Sequence, residues 1–78
     1  MTLSDAREGQ WLIVQGAKSD EVTWQALRFG IEEGSLLFVQ RTIPGGPVII
    51  ARNQLEIAIG RQLASQILVC PKEKGALK

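Results

Sequence analysis

FGIEEGSLLFVQRTIPGGPVIIARNQLEIAI, residues 29–59, decides the fold. Three apolar runs lie in it, Leu36–Val39, Val48–Ala51 and Leu55–Ile59. Each is bounded by turn residues, which is the pattern of a strand meander. Gly30 and Gly34 punctuate its start, and Pro44-Gly45-Gly46-Pro47 is the strongest turn signal in the chain. Asn53 can take the left-handed conformation that a hairpin turn needs. The last run alternates, with Leu55, Ile57 and Ile59 inward and Glu56 and Ala58 outward. The first does not: Leu36 and Phe38 share one face, Leu37 and Val39 the other, and both faces are apolar, as in a strand crossing a barrel corner.

Upstream, Ser19 or Asp20 caps a helix that runs to about Phe29. Val22, Ala26 and Phe29 recur at helical spacing and predict a buried stripe, with Phe38 also counted in the core. Gly30 is the left-handed residue that stops the helix. Trp24 falls near the edge of the stripe, and Arg28 four residues on is placed to stack on it. Before the helix, Gln10–Ala17 is a strand with Leu12 and Val14 inward and Trp11 and Ile13 outward; Gly16 marks a bulge or its end. Leu3, in a turn capped by Ser4-Asp5, plugs one end of the core. Downstream, Gly60–Gln66 holds one helical turn with Leu63 or Ala64 packing down, Ile67–Cys70 is the last strand, and Pro71 ends its pairing.

About five short strands, one helix after the first and a helical turn before the last predict a mainly β, SH3-like barrel. The rival is an OB-fold, which carries its helix between the third and fourth strands. The domain spans residues 1–71, and 72–78 form a short basic tail without fixed structure.

Seventy-eight residues make one domain. A chain this short buries only about 60% of its unfolded surface, so most aliphatic side chains are needed in the core. The lone Cys70 excludes an internal disulfide, and with no histidine the commonest transition-metal ligand is missing. Net charge is +1, and residues 1–71 carry six basic and seven acidic side chains, so nucleic acid is not the expected partner. The five arginines, Arg7, Arg28, Arg41, Arg52 and Arg61, are spread along the chain, and of the four aromatics Phe29 and Phe38 are counted in the core. There is no signal-peptide pattern and no apolar run near the ~20 residues that span a bilayer, so a cytoplasmic protein without membrane insertion is expected.

Catalysis needs a nucleophile, base or metal within reach, and the inventory is poor: no histidine, no tyrosine, and serines in turn or cap contexts. The chain is read as a non-enzyme without cofactor or metal. Gly45-Gly46 lacks the spacing of a phosphate loop. Glu32 and Glu33, with Glu21 or Asp20, make an oxygen-ligand set for a hard cation at most; a solvated turn explains them as well. The surplus is the two tryptophans, a residue enriched at binding hot spots. Trp11, Ile13, Trp24 and Arg28, with Glu32 and Glu33 at the rim, are the candidate partner-binding residues. The alternative is that the indoles seal the end of the barrel under the helix.

Taken in order, these residues resemble the FeoA family of bacterial ferrous-iron transport, a domain similar to the C-terminal SH3-like domain of DtxR-type repressors. Leu3-Ser4-Asp5 with Gly9 opens the match. Leu27-Arg28-Phe29-Gly30-Ile31 with Gly34-Ser35 resembles the family's L-x-x-G-[FIL]-x-x-G-[ST] segment. Arg41, Pro44, Gly46-Pro47 and the alternating Leu55–Ile59 continue it, and Ala64 with Ile67-Leu68-Val69 closes it. The Pro44–Pro47 turn is one residue shorter than the common family version, Gln54 replaces the usual glycine of the next turn, and Trp11 and Trp24 stand where charged or small residues are common. The resemblance implies an accessory protein that docks on and regulates the FeoB membrane transporter. A homo-oligomeric or metalloregulator-associated module is the alternative it leaves open.

Overall fold

The computed structural model describes residues 1–72. A 3-10 turn at Leu3–Asp5 leads to β1 (Trp11–Ala17), α1 (Asp20–Leu27), β2 (Leu36–Thr42), β3 (Val48–Arg52), β4 (Leu55–Ile59), the one-turn helix α2 (Arg61–Ala64) and β5 (Ile67–Lys72). All five strands form one antiparallel sheet in the order β4-β3-β2-β1-β5. The helix lies between the first and second strands, which removes the OB-fold alternative. The expected barrel is a sheet that does not close: β4 and β5 are its two edges.

One face of the sheet carries the core. Leu12 and Val14 of β1, Leu37 and Val39 of β2, Val48 and Ile50 of β3, Ile59 of β4 and Ile67 and Val69 of β5 are buried together. A fully buried aliphatic side chain of this kind is worth about 1.5–3 kcal/mol. Leu3 closes one end, as its position predicts, and Val22 and Ala26 of α1 and Ala64 of α2 cover the rest, with Leu63 packed alongside.

Local chemistry sets the ends of the elements. Ser19 Oγ accepts from the Val22 amide at 3.2 Å and caps α1. The helix stops in a Schellman arrangement: Gly30 has φ +75, its N–H donates to the Leu27 carbonyl at 2.9 Å, and the Ile31 N–H donates to Ala26 at 3.0 Å. That turn directs Ile31 into the core and leaves Phe29 40% exposed, so Ile31 takes the place that the spacing assigned to Phe29. Gly16 does mark a bulge, where the β1–β5 register shifts past Gln15. Pro44 and Gly45, the latter at φ +71, occupy the middle of a turn closed by the Gly46 N–H on the Ile43 carbonyl at 2.7 Å, which fits a type II turn. Asn53 and Gln54, at φ 51 and 72, form the two-residue hairpin between β3 and β4, a type I′ geometry.

Other expectations are corrected. Leu55 has the inward parity but sits at the hairpin tip and is 64% exposed. Pro71 does not end pairing: it lies opposite Leu12, and Lys72 opposite Trp11. An edge strand tolerates a missing N–H on its open side. The proposed tail lies outside the described residues from 73 onward.

The N-terminus is tied into the same sheet. Thr2 bridges Leu68, and the Val69 N–H donates to the Met1 carbonyl at 2.9 Å. Asp5 Oδ2 accepts from the Thr2 N–H at 3.0 Å and its hydroxyl at 3.1 Å, and these two bonds hold the Asp5 carboxyl below the ordinary carboxylate range.

Candidate docking surface

The second face of the sheet is apolar and uncovered by either helix. Alternation along β1 turns Trp11 and Ile13 away from the buried Leu12 and Val14, as expected. Antiparallel register then sets Phe38 opposite Trp11 and Leu36 opposite Ile13. The Trp11 and Phe38 rings meet with centroids 4.9 Å apart and planes at 52°, a tilted contact in the favourable range for aromatic pairs. Phe38 in turn pairs with Ala51 of β3, and Ile13 with Cys70 of β5. All but Leu36 are half-buried, and Leu36 is exposed. A groove of about 410 Å³ runs beside Trp11, Leu36, Phe38 and Ala51, with Arg52 and Gln54 at its polar end.

Trp11 and Ile13 therefore share one patch. Trp24 does not join it. At about 100° per residue Trp24 is roughly 200° round the helix from Val22, so it lies opposite the buried stripe rather than at its edge. It is 68% exposed on the solvent side of α1, whose packing face meets the core side of the sheet. Arg28 is exposed just past the end of α1. Glu32 and Glu33, also exposed, border a cleft of about 80 Å³ between α1 and β1, with Thr23, Ala26 and Ile31. The candidate residues thus divide into an outer-sheet pair and a helix-side group.

Phe38 and Leu36 were missed as surface residues. Four consecutive apolar residues, Leu36 to Val39, conceal which alternate pair is inward. The signal that separates them is the partner strand: Val39 lies opposite the buried Ile50.

The residues present do not fit a transition-metal site. The sequence has no histidine. Among the described residues Cys70 is the one thiol, and no three His, Cys, Asp or Glu side chains come together. Arg61 points its guanidinium at three backbone carbonyls, Gly46 at 3.0 Å, Ser4 at 2.9 Å and Ile43 at 2.9 Å, and so is engaged within the fold. No described helix is long and apolar enough to cross a membrane.

Solved structures share this architecture. An iron uptake regulatory protein, FeoA, matches with TM-score 0.84 and 26% identity, over 92% of this chain and 97% of its own. The zinc complex of FeoA from Stenotrophomonas maltophilia, described as a prokaryotic SH3 domain protein, matches with TM-score 0.74 and 18% identity over 90% and 89%. A manganese-dependent transcriptional repressor matches with TM-score 0.80 and 22% identity, over 92% of this chain but 41% of its own. No curated protein sequence matches. The SH3-like architecture, the glycine-punctuated turns and a match of the FeoA domain family model over residues 1–71 converge, and the chain belongs to the FeoA family.

Proposed function

We propose that this protein is an accessory subunit of ferrous-iron transport that acts by docking on a FeoB-type membrane transporter at its cytoplasmic side. Family membership supplies the link to ferrous-iron transport. The observation that carries the docking step is the Trp11–Phe38 face: aromatic and aliphatic side chains on a rigid sheet, left uncovered by the protein's own helices. Indole is the side chain most enriched at binding hot spots, and a half-buried ring on a strand loses little freedom when a partner covers it. The protein's contribution is contact rather than chemistry. Trp11 and Ile13 are the primary contacts. Trp24, Arg28, Glu32 and Glu33 are reached only by a partner large enough to extend to the helix side.

The test is binding of the purified chain to detergent-solubilised FeoB-type transporter. Trp11→Ala should weaken binding more than about tenfold, the size expected for a hot-spot residue, with the fold retained. Trp24→Ala should have the smaller effect. Equal losses from both variants would move the contact to the helix side. No binding by the unaltered chain would overturn the transporter reading.

A further inference from the structure

The two edges of the sheet are treated differently. The β5 edge is obstructed: Thr2 bridges Leu68, Met1 accepts from Val69, and the strand ends in Pro71-Lys72, residues that discourage further pairing. The β4 edge has none of these devices. Leu55-Glu56-Ile57-Ala58-Ile59 contains no proline, no lysine and no bulge, and its ladder to β3 runs without a register shift.

Which backbone groups are free on that edge follows from the hairpin. In a two-residue type I′ hairpin the closing pair, Arg52 and Leu55, is hydrogen-bonded, and hydrogen-bonded pairs then alternate along the ladder. Leu55, Ile57 and Ile59 thus turn their N–H and C=O groups toward β3. Glu56 and Ala58 turn theirs outward. Among the described residues no backbone bond beyond the ladder reaches β4.

We propose that β4 pairs with β4 of a second copy of this chain, antiparallel, about a two-fold axis through Ile57. The sequence of the strand is self-complementary in that register. Glu56 of one copy lies opposite Ala58 of the other, twice, which uses all the outward backbone groups in four hydrogen bonds. No carboxylate faces a carboxylate. On the inward face Leu55 lies opposite Ile59 and Ile57 opposite itself, so the 64% exposed Leu55 gains an apolar neighbour. A shift of the axis to Glu56 would set the two carboxylates face to face, a destabilising pair. The Trp11–Phe38 face stays open in this dimer, so the pairing is independent of the transporter reading. The contact is small, below the ~1,200 Å² of stable complexes, and gives a weak, reversible association.

Sedimentation equilibrium of the full chain tests this. Reversible dimerisation is expected within concentrations up to about 1 mM, the range of weak interfaces. Ala58→Pro removes an outward N–H that the β3 ladder does not use, and should give a folded monomer by circular dichroism. Ala58→Glu sets two carboxylate pairs across the axis and should weaken the dimer about tenfold, while Ala58→Lys, facing Glu56 of the second copy, should tighten it a few-fold. A strictly monomeric unaltered chain would overturn the proposal. So would a dimer indifferent to the charge placed at position 58, whether or not the proline variant folds.

Discussion

Arg61 Nε donates to the Gly46 carbonyl at 3.0 Å, joining α2 to the turn between β2 and β3. The other two nitrogens of the same guanidinium reach Ile43 in that turn and Ser4 in the N-terminal 3-10 turn, both at 2.9 Å. One side chain thereby fastens three segments that are far apart in sequence. Hydrogen bonds from a charged donor each contribute about 1.5–3 kcal/mol net when shielded from water; here the bonds to Gly46 and Ser4 are part-buried and the one to Ile43 is exposed.

Arg61→Ala should therefore lower stability by about 2–3 kcal/mol, read as the urea midpoint with unchanged m-value. Arg61→Lys should recover less than half of the loss, because an ammonium cannot present the planar fork to three separate acceptors. A lysine variant as stable as the parent would show that charge, and not the geometry of the fork, matters here.

Gln54 is held at φ 72 by the β3–β4 hairpin. A side chain in that region costs about 1 kcal/mol relative to glycine. Gln54→Gly is expected to raise the melting temperature by several degrees for a domain of this size. The same change at Asn53 should gain less, since asparagine tolerates the conformation. A melting temperature that falls in Gln54→Gly would mean that the side chain makes a compensating contact.

Gly30→Val should destabilise the fold severely. The position needs φ +75, and a Cβ there would stand 3.0 Å from Arg52 Nη1. The Arg52 side chain can move away, so the backbone term dominates, about 1–3 kcal/mol for a β-branched residue. Gly30→Ala should lose less than Gly30→Val in chemical denaturation, and equal losses would place the cost in the contact with Arg52 instead.

Asp5 gives a pH dependence of defined sign. Its folded carboxyl titrates below its ordinary value, first through the Thr2 N–H and then through the Thr2 hydroxyl. Its contribution is fully present above the unfolded-chain value of about 3.9 and is lost as pH falls through the lower folded value. The stability difference between the parent and Asp5→Asn should accordingly shrink on acidification below about pH 4. A difference that stays constant down to pH 2 would separate Asp5 from the acid response.

What the sequence disclosed followed range. Gly16, Gly30, Asn53 and the Pro44–Pro47 turn were legible because each answers a local backbone demand, and each sits where the reading put it. Leu12 and Val14 are buried as read, although four consecutive apolar residues from Trp11 to Val14 leave the parity of β1 open in the sequence. Phe29 was misplaced because the Schellman turn rotates the chain out of helical period after Leu27, giving its place to Ile31. Arg61 was one of five scattered arginines until folding brought in acceptors 15, 18 and 57 residues away. The candidate surface was half legible: Trp11 and Ile13 share a face as expected, but Phe38, its other half, is supplied by strand register, which no local pattern encodes.

The sheet order has a consequence for synthesis. β1 sits between β2 and β5, and Met1 and Thr2 bond to β5 as well. β1 leaves the ribosome before β5 and thus keeps one edge bare until β5 has emerged. Co-translational folding can complete β1 through β4 as a partial sheet, but the core closes only when Ile67–Lys72 clears the exit tunnel and threads beside the oldest part of the chain. Pairings of such long sequence separation are slow to form.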